Sequence, residues 1–208
     1  MNKYFLSTAM AVMLTTGASA QSLNLTPDEG TRKFLFNGQT MVVSRKDAGN
    51  SNLTLALAEA SKDCPPNCLV PMTVATGVDT LGEIELLDFL STQVSSGTGL
   101  LIDARTPEWR KQGFLPASIN IPTEALNPGN AYRNDILAAL GAGQTSTGWD
   151  FSQAYDLAIY ANGPWQQDGA ALINSLLEVG YPASKLKFYR GGLHAWALQG
   201  LTILQPQS

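Results

Sequence analysis

The chain has 208 residues, 44% of them hydrophobic and 14% charged, and a net charge of −4 from 13 Lys+Arg against 17 Asp+Glu. That mildly acidic balance argues against a nucleic-acid binder or a protein held to anionic membranes by positive charge. The length suits one sizeable domain with an appended segment, and only two cysteines, Cys64 and Cys68, are available for redox or covalent chemistry.

Lys3, the apolar stretch from Tyr4 to Thr15 and the small-residue site Ala18-Ser19-Ala20 predict a secretory signal peptide over residues 1–20. The expected mature chain starts at Gln21 and is periplasmic or secreted. The apolar stretch is too short to span a bilayer and no later run approaches the required length, so no membrane span is expected.

Residues 21–76 read as an N-terminal extension that does not fold alone. Phe34-Leu35-Phe36 and Met41-Val42-Val43 predict two short strands, joined at Asn37-Gly38 by a type I′ turn. Residues 47–52 are polar and turn-rich. The apolar run Leu53 to Ala58 then leads to Cys64-Pro65-Pro66-Asn67-Cys68, where the prolines forbid a regular helix.

From Val78 the pattern alternates between strands and helices. Thr80 with Glu83 predicts a capping box for a helix carrying Ile84, Leu87 and Leu90. Leu100 to Ile102 predicts a strand closed by Asp103-Ala104-Arg105, Ile119 to Ile121 another, and Tyr132 to Leu140 a helix stopped by Gly141. Leu157 to Tyr160 predicts a buried strand. A helix opening at Asp168 follows, with Leu172, Leu176 and Val179 on one face and a stop at Gly180. Leu186 to Tyr189 is the last expected strand and Gly192 to Leu198 the terminal helix. Apolar strands separated by helices imply a parallel sheet covered on both faces, with ligands at the carboxyl ends of the strands.

Such an end lies after Tyr160, at Ala161-Asn162-Gly163-Pro164-Trp165-Gln166. A loop of this kind points backbone N–H groups at one spot and can cradle an anion. Enzymes place a thiolate at its first position, because those N–H groups and the helix dipole lower a cysteine's pKa. Here that position is Ala161, and a methyl group is no nucleophile.

Two further runs carry a resemblance. Leu100-Leu101-Ile102-Asp103-Ala104-Arg105-Thr106-Pro107-Glu108-Trp109, continued by Gly113 to Pro122, and the closing Phe188-Tyr189-Arg190-Gly191-Gly192-Leu193-His194-Ala195-Trp196 with Gly200-Leu201, resemble the two signatures of rhodanese-like sulfurtransferase domains. The resemblance covers residues 77–204 and leaves 205–208 as a tail. It implies an α/β domain in which a loop cysteine takes sulfane sulfur from thiosulfate or another donor as a persulfide and passes it to a thiophilic acceptor. Tyr160 to Gln166 resembles a subgroup loop reading Tyr-Cys-Asn-Gly-Pro-Trp-Cys, with Ala161 and Gln166 at the two cysteine positions. The run Cys64 to Cys68, with Pro71-Met72 and Gly77 to Glu83, resembles a stretch preceding the domain in exported proteins of this type. Gln166 also stands where the family often has an arginine, and the Asp168 carboxylate close behind disfavours both a thiolate and a thiosulfate dianion.

The residues support an exported, degenerate domain that transfers no sulfur from its own loop and acts as a binding or regulatory module. Its partner is expected to be an unknown protein or a small anionic sulfur-containing ligand, with no cofactor and no metal. The alternative is a sulfurtransferase or thiol relay using Cys64 and Cys68. For those two residues a structural disulfide, an exchangeable or sulfur-relaying pair, and Cu(I) held with Met72 all stand open. Trp165 is either an exposed docking aromatic or packing over the loop. Asp103 and Arg105 are expected to support the loop by an ion pair or backbone hydrogen bonds, and Arg190 to form a tight turn or bring positive charge to the strand ends. His194 is expected to be surface or partly packed, and Trp109, Trp149 and Trp196 to belong to the core.

Overall fold

A computed structural model describes residues 24–45, 56 and 68–206. The expected signal peptide at 1–20, the polar stretch 47–52, the run Leu53 to Ala58 apart from Ala56, and Cys64-Pro65-Pro66-Asn67 lie outside the described residues.

The first elements are β1 (Thr31–Phe36) and β2 (Gln39–Ser44), paired antiparallel. Asn37 and Gly38 both take positive φ, 48° and 75°. A type I′ turn requires this of its two central residues, and the hairpin expected from Asn-Gly is present. Then follow β3 (Asp79–Leu81), α1 (Glu83–Phe89) continued by a π-helical turn over Leu90–Val94, β4 (Gly99–Asp103), α2 (Pro107–Arg110), β5 (Ser118–Asn120) and α3 (Arg133–Ala139). A small hairpin of β6 (Gly143–Thr145) and β7 (Gly148–Asp150) precedes β8 (Asp156–Tyr160), α4 (Asp168–Glu178), β9 (Leu186–Tyr189) and α5 (Gly192–Leu198).

Five strands form one parallel sheet in the order β3-β9-β8-β4-β5. Central β8 shows why its sequence is continuously apolar: Leu157 and Ile159 face one layer, Ala158 and Tyr160 the other, and all four are fully buried. Leu137, Leu172, Ile173 and Leu176 from α3 and α4 cover the first face. Leu86 and Leu87 of α1, Leu193 and Trp196 of α5, and Phe34 and Val43 of the hairpin cover the second. Truncating a central side chain such as Ile159 to alanine costs about 2–5 kcal/mol.

One local expectation is corrected. Thr80 does not cap a helix: it lies in β3 opposite Phe188, and its hydroxyl donates to the Met72 carbonyl. Pairing with β9 holds Thr80 extended, and α1 starts two residues later than a Thr80 cap would set. Gly82 occupies the cap position, and the Glu85 carboxylate accepts its N–H at 3.2 Å. The buried stripe contains Leu86, Leu87 and Leu90, and Ile84, expected on that face, is 39% exposed.

The hairpin is fastened to the domain at its open end. Arg32 pairs with Asp88 at 2.7 Å, and the Ser44 N–H donates to Thr202 Oγ1 at 3.0 Å beside the Arg45–Leu201 bridge. No helix among the described residues is long and apolar enough to cross a membrane.

Candidate functional site

The loop over residues 161–167 leaves the carboxyl end of β8, between the ends of β4 and β9. Its shape is set by main-chain bonds to two neighbours. The Tyr160 carbonyl accepts the Ala104 N–H at 3.0 Å, while the Ala161 and Asn162 carbonyls accept the N–H groups of Leu193 and His194 at 3.0 and 2.7 Å. That contact with α5 demands glycine at position 192, where φ is +60° and a Cβ would lie 2.4 Å from the Ala161 carbonyl oxygen.

Asp103 ends β4 and Arg105 follows two residues later, and both are fully buried. Arg105 donates from Nε to Asp103 Oδ1 at 2.7 Å and from Nη2 to Oδ2 at 2.6 Å, a bidentate pair. Nη1 reaches the Asn162 Oδ1 at 3.0 Å and Nη2 the Gly113 carbonyl at 2.8 Å. Burial works against the guanidinium charge, but the Asp103 hydrogen bonds prevail and its pKa is raised. The guanidinium also lies 5.5 Å from the centre of the Tyr160 ring. Burial, with the nearby Asp103 carboxylate, raises the Tyr160 pKa and keeps its hydroxyl protonated, donating to Ser118 Oγ at 3.1 Å.

The Gln166 side chain folds back into its own loop. Its Oε1 accepts the Asn162 N–H at 2.8 Å and its Nε2 donates to Asp168 Oδ2 at 2.6 Å. Burial, followed by repulsion from Glu124 and Asp103, pushes the Asp168 carboxyl up to about 6. Ala161 is 3% exposed, its methyl facing Gly169.

Trp165 is 6% exposed and packs in the second-face core, so of its two readings packing is the one observed. Among the described residues its Nε1 and the Asn162 Nδ2 have no acceptor. Arg190 Nε donates to the Val70 carbonyl at 2.8 Å, which ties the residue to the segment before β3. His194 is half-buried beside Gly163, and burial lowers its pKa. Trp196 is fully buried, and Trp109 and Trp149 pack against the two cores.

The segment starting at Cys68 lies against this loop. Gln167 Nε2 donates to the Cys68 carbonyl at 2.6 Å, and the Val70 N–H donates to the Pro164 carbonyl at 2.6 Å. Cys68 is not a free thiol, and Cys64 lies outside the described residues. Sequence reasoning missed Gln167, Val70 and Arg110. Arg110 is readable in retrospect: it closes the short helix opened by Thr106-Pro107, and it donates to Asp103 Oδ2 at 3.0 Å and to the Ser118 carbonyl at 2.7 Å.

Comparison with known proteins matches residues 86–199, more than half of the chain, to the rhodanese-like domain family. No curated protein matches the chain. Among solved structures, the reduced Bacillus anthracis CoADR-RHD is similar at 27% identity and a TM-score of 0.40, over 59% of this chain and 17% of that one. A thiosulfate sulfurtransferase from Pseudomonas aeruginosa is similar at 17% identity and a TM-score of 0.42, over 76% of this chain and 23% of that one. The human single-domain sulfurtransferase is 20% identical with a TM-score of 0.38, over 59% of this chain and 96% of that one. The chain thus spans less than a quarter of the length of the first two.

Proposed function

The chain belongs to the rhodanese-like domain family, and from that premise we propose that it is an exported member that transfers no sulfur at its own loop and acts as a binding or regulatory module. The observation that carries this reading is Ala161 at the carboxyl end of β8, where the family's chemistry calls for a cysteine. Persulfide formation needs a thiolate to attack the outer sulfur of thiosulfate and expel sulfite, and an alanine methyl has no electron pair to offer. The loop's polar groups point the same way. Gln166 takes the Asn162 N–H, and Arg105 is consumed by Asp103 and Asn162. Export rests on the signal pattern over residues 1–20 and makes the product periplasmic or secreted.

A second reading is a thiol relay through Cys64 and Cys68, favoured by the hydrogen bond that holds the Cys68 carbonyl to Gln167 beside the loop. Against it, Cys68 is not a free thiol and Cys64 is the only other cysteine of the chain, which supports a structural disulfide. Thiocyanate formation from thiosulfate and cyanide separates the readings. The module reading expects none above background. Turnover that disappears in Cys64→Ala with Cys68→Ala establishes the relay; turnover that survives both changes overturns both readings, since no thiol then remains.

A further inference from the structure

A cavity of about 250 Å³ opens where the start of α1, the chain after α5 and the two ends of the hairpin meet, and none of its lining residues belongs to the Ala161 loop. Leu25, Ile84, Leu87 and Leu201 make its apolar walls, while Arg45 and Glu83 bring one charge of each sign. Ile84, exposed on α1, is thus a wall of this opening. Both charged side chains are half-buried and held in place. The buried Tyr189 hydroxyl donates to Glu83 Oε1 at 3.0 Å, and burial, then the Glu83 charge, raises the phenol's pKa and keeps it a donor. Arg45 Nε donates to the Gln199 carbonyl at 2.8 Å, beside the Arg45–Leu201 bridge. These partners are neutral. No ion pair among the described residues includes Glu83 or Arg45, so each brings an uncompensated, partly desolvated charge to the cavity.

We propose that this cavity binds a small zwitterion with an aliphatic body, an amino acid of the leucine class, with its ammonium on Glu83, its carboxylate on Arg45 and its side chain against Ile84 and Leu87. The site is separate from the Ala161 loop and does not depend on how that loop is read. Its lining selects the class. A guanidinium takes a carboxylate in matching fork geometry, and a carboxylate takes an ammonium. A simple anion leaves Glu83 unpaired and a simple cation leaves Arg45 unpaired, so only a ligand carrying both charges strands neither. The volume lies below the roughly 300–1,000 Å³ of sites for drug-sized ligands, which limits the body to a short aliphatic group.

The test follows methyl and amide resonances of the full chain as L-leucine is added. Saturable shifts are expected at the methyls of Leu25, Ile84, Leu87 and Leu201, with the Ala161 and Gly163 amides unmoved. Glu83→Gln keeps an acceptor for the Tyr189 hydroxyl but loses the charge, and Arg45→Gln removes the guanidinium. Each is expected to weaken leucine binding about tenfold or more, as loss of a charge-assisted contact does. Two probes decide the matter on the unaltered protein even where a variant fails to fold. Isocaproate is leucine without its ammonium and isoamylamine is leucine without its carboxylate, and each is expected to bind about tenfold or more weakly than leucine. No saturable shift with leucine up to about 10 mM overturns the proposal, as do shifts confined to the Ala161 loop. Either probe binding as tightly as leucine, or either folded variant retaining full affinity, overturns it too.

Discussion

The Gln166 side-chain carbonyl accepts the backbone N–H of Asn162 at 2.8 Å, a bond within a single turn of chain. An anion-binding loop presents such an N–H to its ligand. Here the chain supplies its own acceptor, and Asp168 holds the other end of the same amide at 2.6 Å.

The proposed function therefore predicts that restoring the thiol does not by itself restore an enzyme. Ala161→Cys is expected to form thiocyanate from thiosulfate only slightly above background, because the new thiolate competes with Gln166 for the Asn162 N–H and faces the Asp168 carboxylate. Adding Gln166→Arg removes the competing oxygen and supplies a cation, and is expected to raise the rate about tenfold over the single variant. Full activity from Ala161→Cys alone would show that the missing thiol was the whole defect.

The raised carboxyl of Asp168 predicts a pH signature. Its folded pKa of about 6 exceeds the carboxyl's ordinary value of 3.8, so between about pH 4 and 6 the folded chain holds a proton that the unfolded chain has released. Stability falls across that window and stays lowered above it. Asp168→Asn lacks this penalty and still offers Gln166 an acceptor. It is expected to melt higher than the unaltered protein at pH 7.5 and at the same temperature near pH 4, read by calorimetry. A gap that is equal at both pH values argues that the carboxyl ionises normally.

Arg105 and Asp103 form a fully buried bidentate pair, so removing one partner strands a charge in the core. Arg105→Met is expected to cost about 3–5 kcal/mol in denaturant unfolding. Asp103→Leu added to it recovers only part of that loss, because Arg110, which also pairs with Asp103 at 3.0 Å, is then left without its carboxylate. Full recovery in the double variant would show that Arg110 is satisfied by Ser118 and solvent alone.

Gly192 lets α5 approach the loop. A methyl there would lie 2.4 Å from the Ala161 carbonyl oxygen and 2.7 Å from both Asn162 C and Gly163 N, all main-chain atoms that cannot swing aside. Gly192→Ala is expected to lower stability by at least about 2 kcal/mol and to shift the Ala161, Asn162 and Gly163 amide resonances. An alanine variant of unaltered stability would mean that the loop and α5 move apart freely.

Much of the architecture was legible in the chain because its signals are local. A continuous apolar run marks Leu157 to Tyr160 as a buried strand, Asn37-Gly38 carries the turn it forms, and the absence of a thiol at position 161 is read directly. The capping of α1 was misread because Thr80 has the right residue type for a cap, whereas its pairing with β9 is a contact made across 108 positions.

The sequence alone determined the order of the long strands and helices, the family resemblance and the lack of a thiol at position 161, since each depends on residues close together along the chain, whereas β3, α2 and the β6-β7 hairpin were not read from it. Tertiary structure decided that Trp165 is core, that Gln166 fills its own loop, and that Arg190 and Gln167 hold the segment of Cys68 and Val70. The bonds from Gln167 and Arg190 join residues 99 and 120 positions apart. No periodicity or motif encodes such a pairing, because it forms only when packing of the sheet brings the carboxyl ends of β8 and β9 under the N-terminal segment.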